Sequence, residues 1–584
     1  MLWLPVVLAA LASPFPDVTY TIRVDPVNLA AFDVTMSVRR APESFTLAMF
    51  SHPEYDDRYW RYLDTVTADG ATIRHNGDAT WSVNHATADI TIHYRLVLPP
   101  QSGTQRSAWK PFLTPTGGLV DAPHALLYVV GAERGPSEVR LVVPKGWRVA
   151  TPLAGDSGRF RARNVAELMD GPFLLGHLRE WDFRVANTPH RVFYWDAPDG
   201  KPFDTTTFVS HIQSIVRQAS ALLGGLPYAR YSFLYQDQSY GALEHPDAVT
   251  LGAPSADLAS DPDAVLEETA HEYFHLWNLM RIKPAGYGGV TYQPRPLSTG
   301  LWVSEGFTMF YADLLPRRAG LPLRDSTRAR HLERLLARYL ENPVFARYSA
   351  ERISESSYAP DPIFLGDYQG STHLNGEIIG SMLDMLIRWR TGGRRSLDDV
   401  MRGLARDSAG FTTTSVQRLV GAACGCDVTG FFDRYVRGAG VIDVNEYLRL
   451  IGLRAQVDTV VAVDDSGRAV PDVRIWAYQP AGAQRPLLLL NTPVSQWGRA
   501  GFHSGDTLVT IGDSAMTDIA TFRRTIRRFR VGDTVEVTVR RTGGRFTARV
   551  PLTGYRHPVV RVVPDSGATA AARRLREAWK TGRS

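Results

Sequence analysis

The chain has 584 residues, 44% hydrophobic and 21% charged, more than one core organises, so several domains are expected. Its 49 glycines and 37 prolines exclude collagen-like and low-complexity chains, and its two cysteines exclude a disulfide scaffold and a four-cysteine zinc site. The net charge of +5 comes from 65 basic and 60 acidic residues that interleave without a basic stripe, so no nucleic-acid partner is expected.

The first element is the apolar run Leu2–Ala12. It is too short to span a bilayer, which takes about 20 residues. Its length and the small residues Ala10 and Ala12 suit a secretory leader over 1–12, although no Lys or Arg precedes it. A secreted or periplasmic protein is therefore expected, and no later run is long enough for a membrane span. From Tyr20 to Val185 short alternating stretches separated by turn residues predict an antiparallel β-sandwich. From Thr205 the period lengthens to helical, over Phe208–Leu223, Pro262–Met280, Leu301–Leu315, Ser326–Leu340, Gly376–Arg390 and Leu397–Leu404. After Ile451 strands return, with a helix over Asp518–Arg528 and a basic amphipathic helix over Ala570–Trp579.

The chemistry concentrates on the helix framed by Asp261 and Pro262. On it His271 and His275 fall one turn apart on one face, two imidazoles aimed at a shared metal, with Glu272 beside them to take a proton from a water. Catalytic zinc needs a third protein ligand. Leu301-Trp-Val-Ser-Glu305-Gly306 supplies a carboxylate on the next predicted helix, 30 residues past His275. Glu267 and Glu268 either orient the histidines or are solvated helix acids.

These two elements resemble the gluzincin metallopeptidases, in which HExxH on one helix is completed by the glutamate of LWxxEG on the next. That resemblance makes Glu305 the third ligand of a single zinc ion and Glu272 the general base. Tyr240-Gly241-Ala242-Leu243-Glu244-His245 lies 27 residues upstream of His271, counted from Glu244. It is similar to the edge strand of gluzincin aminopeptidases that pairs with the substrate backbone. The resemblance gives Gly241 and Ala242 that pairing and Glu244 the free α-amine; a neutral supporting role for Glu244 is the alternative.

With His271-Glu-Tyr-Phe-His-Leu-Trp-Asn-Leu-Met-Arg-Ile-Lys-Pro284, the chain resembles the glycyl aminopeptidase family over nearly its whole length. Met280 and Lys283 depart from that family's motif. The run Gly498–Gly512 and the strand after Gly532 resemble the second half of a bacterial PDZ domain, which binds an extended peptide or a protein C-terminus by strand addition.

The resemblance implies a multidomain α+β chain. It places a β-sandwich domain at 13–190, a thermolysin-like, mostly helical zinc peptidase domain at 191–450, a PDZ-like domain at 451–557 and a helical tail at 558–584. The implied activity is removal of N-terminal glycine or alanine from peptides.

One departure bears on catalysis. Gluzincin aminopeptidases stabilise the oxyanion with the tyrosine of YxKG, and the matching stretch here is His373-Leu374-Asn375-Gly376. Either His373 donates that hydrogen bond, or Tyr368 does, or catalysis is impaired and the protein binds peptides through its PDZ-like part. A metallo-endopeptidase, in which Glu244 does not meet an amine, is the rival within enzymes. Cys424 and Cys426 are expected as two buried thiols, with an oxidised pair open to an exported protein.

Overall fold

The computed structural model describes residues 14–582 apart from 26, 52–58, 86, 99–105, 324–326, 408 and 481–482. The expected leader at 1–12 lies outside the described residues. By backbone proximity the chain forms two compact units, one of residues 1–213, 226–268 and 288–295, the other of 214–225, 269–287 and 296–584.

The first unit is β-rich. Strands β1 (Asp17–Arg23), β2 (Ala31–Arg39) and β3 (Ser137–Val142) belong to a seven-stranded sheet. Their alternation buries Tyr20, Ile22, Val34, Met36, Val38 and Val139 in one core. Antiparallel pairing was expected throughout, yet β1 pairs with β3 in parallel, Val18 opposite Ser137 through Arg23 opposite Val142. Period-two alternation is the same for both directions, so the pattern carried no information on this pair.

The same unit holds a mixed five-stranded sheet. Its strands are β4 (Leu178–Val185), β5 (Thr188–Trp195), β6 (Tyr231–Gln236), β7 (Ala242–Glu244) and β8 (Ala248–Gly252). They run in the order β4-β5-β6-β8-β7, with β5, β6 and β8 parallel and β7 antiparallel at the edge. Strand β6 is buried at every residue, as expected of a parallel strand covered on both faces.

Helices follow: α1 (Thr205–Leu223), α2 (Asp263–His275), α3 (Leu301–Arg318), α4 (Arg328–Glu341) and α5 (Thr372–Thr391). Helix α2 was expected to reach Met280 but stops at His275. Beyond it the backbone makes tight turns, Met280 N–H bonding to the carbonyl of His275 and Ile282 N–H to that of Trp277. Helix α5 starts a turn earlier than its apolar period suggests because Ser371 caps it, accepting the Leu374 N–H at 3.2 Å.

In the second unit α3 and α5 cross at van der Waals closeness. A Cβ on Gly306 would fall 2.2 Å from Gly376 Cα, and one on Gly376 would fall 2.0 Å from the Trp302 carbonyl oxygen. Only paired glycines permit that approach.

The chain then returns to strands. β9 (Leu453–Val461) pairs with the last strand; β10 (Ile475–Tyr478), β11 (Leu487–Leu490), β12 (Thr507–Ile511), β13 (Thr534–Arg541) and β14 (Gly544–Pro551) form one antiparallel sheet in that order. The short helix α6 (Ile519–Ile526) lies between β12 and β13. β15 (Arg556–Pro564) is the partner of β9, so a strand occupies the first part of the stretch expected as a helical tail. The terminal helix α7 covers Ala570–Thr581.

Cys424 and Cys426 form a disulfide rather than two thiols. The helix Thr413–Cys424 ends on Gly425 at φ +61°, a left-handed cap that folds the chain back and lets the two sulfurs meet.

Candidate metal centre

Within the second unit the sequence-expected ligands converge. Helix periodicity stacks His271 over His275, and their Nε2 atoms lie 3.0 Å apart. From α3, Glu305 Oε2 comes to 3.2 Å from His275 Nε2 and 3.6 Å from His271 Nε2. All three side chains are buried. Donors around tetrahedral zinc at 2.0–2.1 Å sit about 3.3 Å from one another, so the three atoms have the spacing of three corners of a zinc site.

The set is oriented from behind. His275 Nδ1 lies 3.0 Å from the Asn278 carbonyl oxygen. That contact makes Nδ1 the protonated nitrogen and leaves the Nε2 lone pair for a metal. Asn278 in turn donates through Nδ2 to the carbonyls of Val303 and Ser304 and to Thr308 Oγ1, at 2.9–3.0 Å. One buried amide thus ties the histidine turn to the helix that carries Glu305. His271 Nδ1 makes no hydrogen bond among the described residues.

Burial lowers the His271 pKa to about 4 and the nearby Glu305 carboxylate opposes this, so the imidazole is neutral at pH 7. Burial raises Glu305, but His275 and His373 outweigh it and hold its carboxyl well below the usual range. A neutral imidazole and an ionised carboxylate are the forms that bind a divalent cation.

Glu272 is buried, its Oε1 4.0 Å from His271 Nε2. His373, on the first turn of α5, reaches the same centre: its Nε2 is 3.1 Å from Glu305 Oε2, and its ring stacks on His271 with centroids 5.7 Å apart. Tyr368 stands edge-on against Tyr348, centroids 5.8 Å apart.

In the first unit, Glu244 is buried at the end of β7, with Ala242 opposite Leu251. Gly241 precedes the strand at φ +66°, and a Cβ there would fall 2.7 Å from the Trp109 ring. Missed by the sequence reading were Asn278, whose amide role no pattern signals, and the Gly306–Gly376 contact. The glycine following each ligand-bearing stretch was the available sign of the latter.

A helix carrying HExxH, completed by a glutamate from the next helix, belongs to the metallopeptidase class. Two family models match the chain: M61 glycyl aminopeptidase over residues 264–371, and the peptidase M61 N-terminal domain over residues 19–177. Two regions of the chain are thus similar to the M61 glycyl aminopeptidase family. An aminopeptidase N family protein from Idiomarina loihiensis is similar in fold, with TM-score 0.73 and 21% identity over 96% of this chain and 100% of that one. An M1 zinc metallopeptidase variant from Deinococcus radiodurans is a looser likeness, with TM-score 0.45 and 15% identity over 73% of this chain and 94% of that one. No curated protein matches by sequence. Family and donor set together support a zinc-dependent aminopeptidase in general terms.

Proposed function

We infer that the protein hydrolyses peptides from the amino end, removing glycine or alanine, with one zinc ion held by His271, His275 and Glu305. The observation that carries this reading is the convergence of those three donors beside Glu272. Zinc, when bound, acidifies a water to near neutrality and polarises the scissile carbonyl.

The protein's own residues do the rest. Glu272 accepts the water's proton and returns it to the leaving amine. Asn278 fixes the tautomer of His275. We assign the developing oxyanion to His373, a reading supported by its exposed position beside Glu305; Tyr368, packed on Tyr348, is the weaker candidate. Glu244 pairs with the substrate ammonium, and Gly241 and Ala242 with its backbone. These three assignments rest on the family resemblance, as does the preference for small residues.

We place 191–450 in the thermolysin-like class and 451–557 in the PDZ-like class. Strand β10 is an edge strand among the described residues and exposes Trp476 and Tyr478. A peptide or protein C-terminus would add to it by backbone pairing. Export fits the apolar leader and the Cys424–Cys426 disulfide. His373 in place of a tyrosine favours one second reading, a weak catalyst that acts mainly as a peptide binder.

The test is zinc content followed by hydrolysis of glycyl and alanyl amides against N-blocked peptides. Glu272→Gln should keep one equivalent of zinc and lose about a hundredfold to ten-thousandfold in turnover. Stoichiometric zinc without turnover dependent on Glu272 supports the binder. Cleavage of blocked peptides alone makes the protein an endopeptidase.

A further inference from the structure

His373 comes nearer to Glu305 than either inferred histidine ligand does. Its Nε2 is 3.1 Å from Glu305 Oε2, against 3.2 Å for His275 and 3.6 Å for His271. One donor atom each from His271, Glu305 and His373 all lie within 4.8 Å of one another. A donor 3.1 Å from Glu305 Oε2 has the spacing of a tetrahedral neighbour on zinc, about 3.3 Å.

The approach is built into the backbone. Glu305 immediately precedes Gly306 and His373 stands three residues before Gly376, the two glycines at which α3 and α5 touch. Ser371 caps α5 and fixes its first turn, while Thr372 Oγ1 lies 3.4 Å from His373 Nδ1 and 3.1 Å from Ser357 Oγ. From that turn the His373 side chain, half-exposed, reaches the carboxylate that α3 carries.

We propose that His373 is a fourth protein ligand in the resting protein, closing the set of His271, His275 and Glu305, and that substrate must displace it. The closed set is of the kind found in structural zinc sites, whereas catalytic sites keep one position open. His373 is the member able to leave: its side chain is 49% exposed, against 8% for His271, 3% for His275 and 7% for Glu305. Once displaced it stands where an oxyanion donor is needed. The proposal rests on the zinc-peptidase reading only for the identity of the metal.

The experiment uses the full chain, loaded with zinc and separately with cobalt, as wild type, His373→Ala and His373→Tyr. X-ray absorption on the zinc forms counts imidazoles, cobalt absorption reports coordination number, and competition with a chelator gives affinity. Three imidazoles in the wild type and two in both variants support the proposal. Zinc affinity should fall on the order of 100-fold in His373→Ala, the upper end of what losing a mere supporting partner costs. His373→Tyr should match the alanine variant in imidazole count and exceed the wild type in turnover, because its site is open. The tyrosine variant also guards against a folding defect in the alanine one.

Two imidazoles and equal affinity in wild type and variants would overturn the fourth ligand while leaving a zinc peptidase standing. Three imidazoles lost to two, without turnover dependent on Glu272, would keep the ligand and overturn the enzyme. A wild type that binds no zinc overturns both.

Discussion

At the scale of single residues, the metal set depends on groups that bind no metal. Asn278 is buried, and its amide bridges three acceptors on α3 while its carbonyl holds His275. In Asn278→Ala the backbone carbonyl remains but the bridge is lost. Zinc affinity should fall about 10- to 100-fold, the usual cost of removing an outer partner. Stability should fall about 1–3 kcal/mol from the abandoned acceptors, measured by thermal unfolding of the metal-free protein. The motif residues themselves were legible because helical spacing fixes which side chains share a face. Asn278 was not, because its role is set by a turn beyond the helix and by acceptors on another helix.

A second residue-scale effect lies away from the site. His190 is fully buried, stacked on Phe183 with centroids 4.7 Å apart, and bonded to the Tyr228 hydroxyl at 2.7 Å. Burial lowers its pKa from 6.5 to about 4, opposed by a backbone hydrogen bond at Thr188. Below pH 6.5 the unfolded chain takes up a proton that the folded one refuses until about pH 4. The His190 contribution to stability is therefore constant above pH 7 and lost as pH falls from 6.5 towards 4, by about 3 kcal/mol at most. Urea denaturation at pH 7 and pH 4.5 should show this loss, and His190→Gln should reduce it.

At the scale of elements, the crossing of α3 and α5 decides whether Glu305 and His373 meet. Gly376→Ala puts a methyl 2.0 Å from the Trp302 carbonyl oxygen and 2.7 Å from Gly306 Cα, both backbone atoms that cannot step aside. The helices must separate, at a cost of about 1–3 kcal/mol or more, and zinc affinity should fall with stability. Gly430→Ala, where an added methyl meets nothing within 4 Å, should change neither. Helix positions were readable from the 3.6-residue period; the crossing was not, because a glycine in a helix is silent about what touches it. The parallel β1–β3 pair was hidden for a related reason, since alternation specifies a face and not a partner.

At the scale of the molecule, the charged helices conceal a buried network. Asp313, Arg317, Arg328, Asp384 and Arg388 are nearly solvent-free, with Arg317 on Asp313 at 2.7 Å and Arg388 on Asp384 at 2.8 Å. Burial lowers the Arg328 guanidinium to about 10, while Asp384 and Asp313 oppose that and keep it charged at pH 7. The sequence does not single these residues out, because charge alternation along a helix does not say what covers it. Part of the cover comes from helix α7 and the residue after it. Arg328 donates to the Trp579 carbonyl at 3.0 Å and lies over its ring at 4.8 Å, and Arg318 donates to the Gly582 carbonyl at 2.9 Å. Helix α7, basic and amphipathic in sequence, docks by its apolar face: Ala572, Leu575 and Trp579 are buried. Trp579→Ala removes a large buried ring and lets water reach a charge cluster built for its absence. We expect a loss of about 3–5 kcal/mol and a drop in thermal midpoint of roughly 5–10 °C. Calorimetry against the exposed control Trp389→Ala measures it. A drop no larger than that of the control would mean that the network stands without the tail.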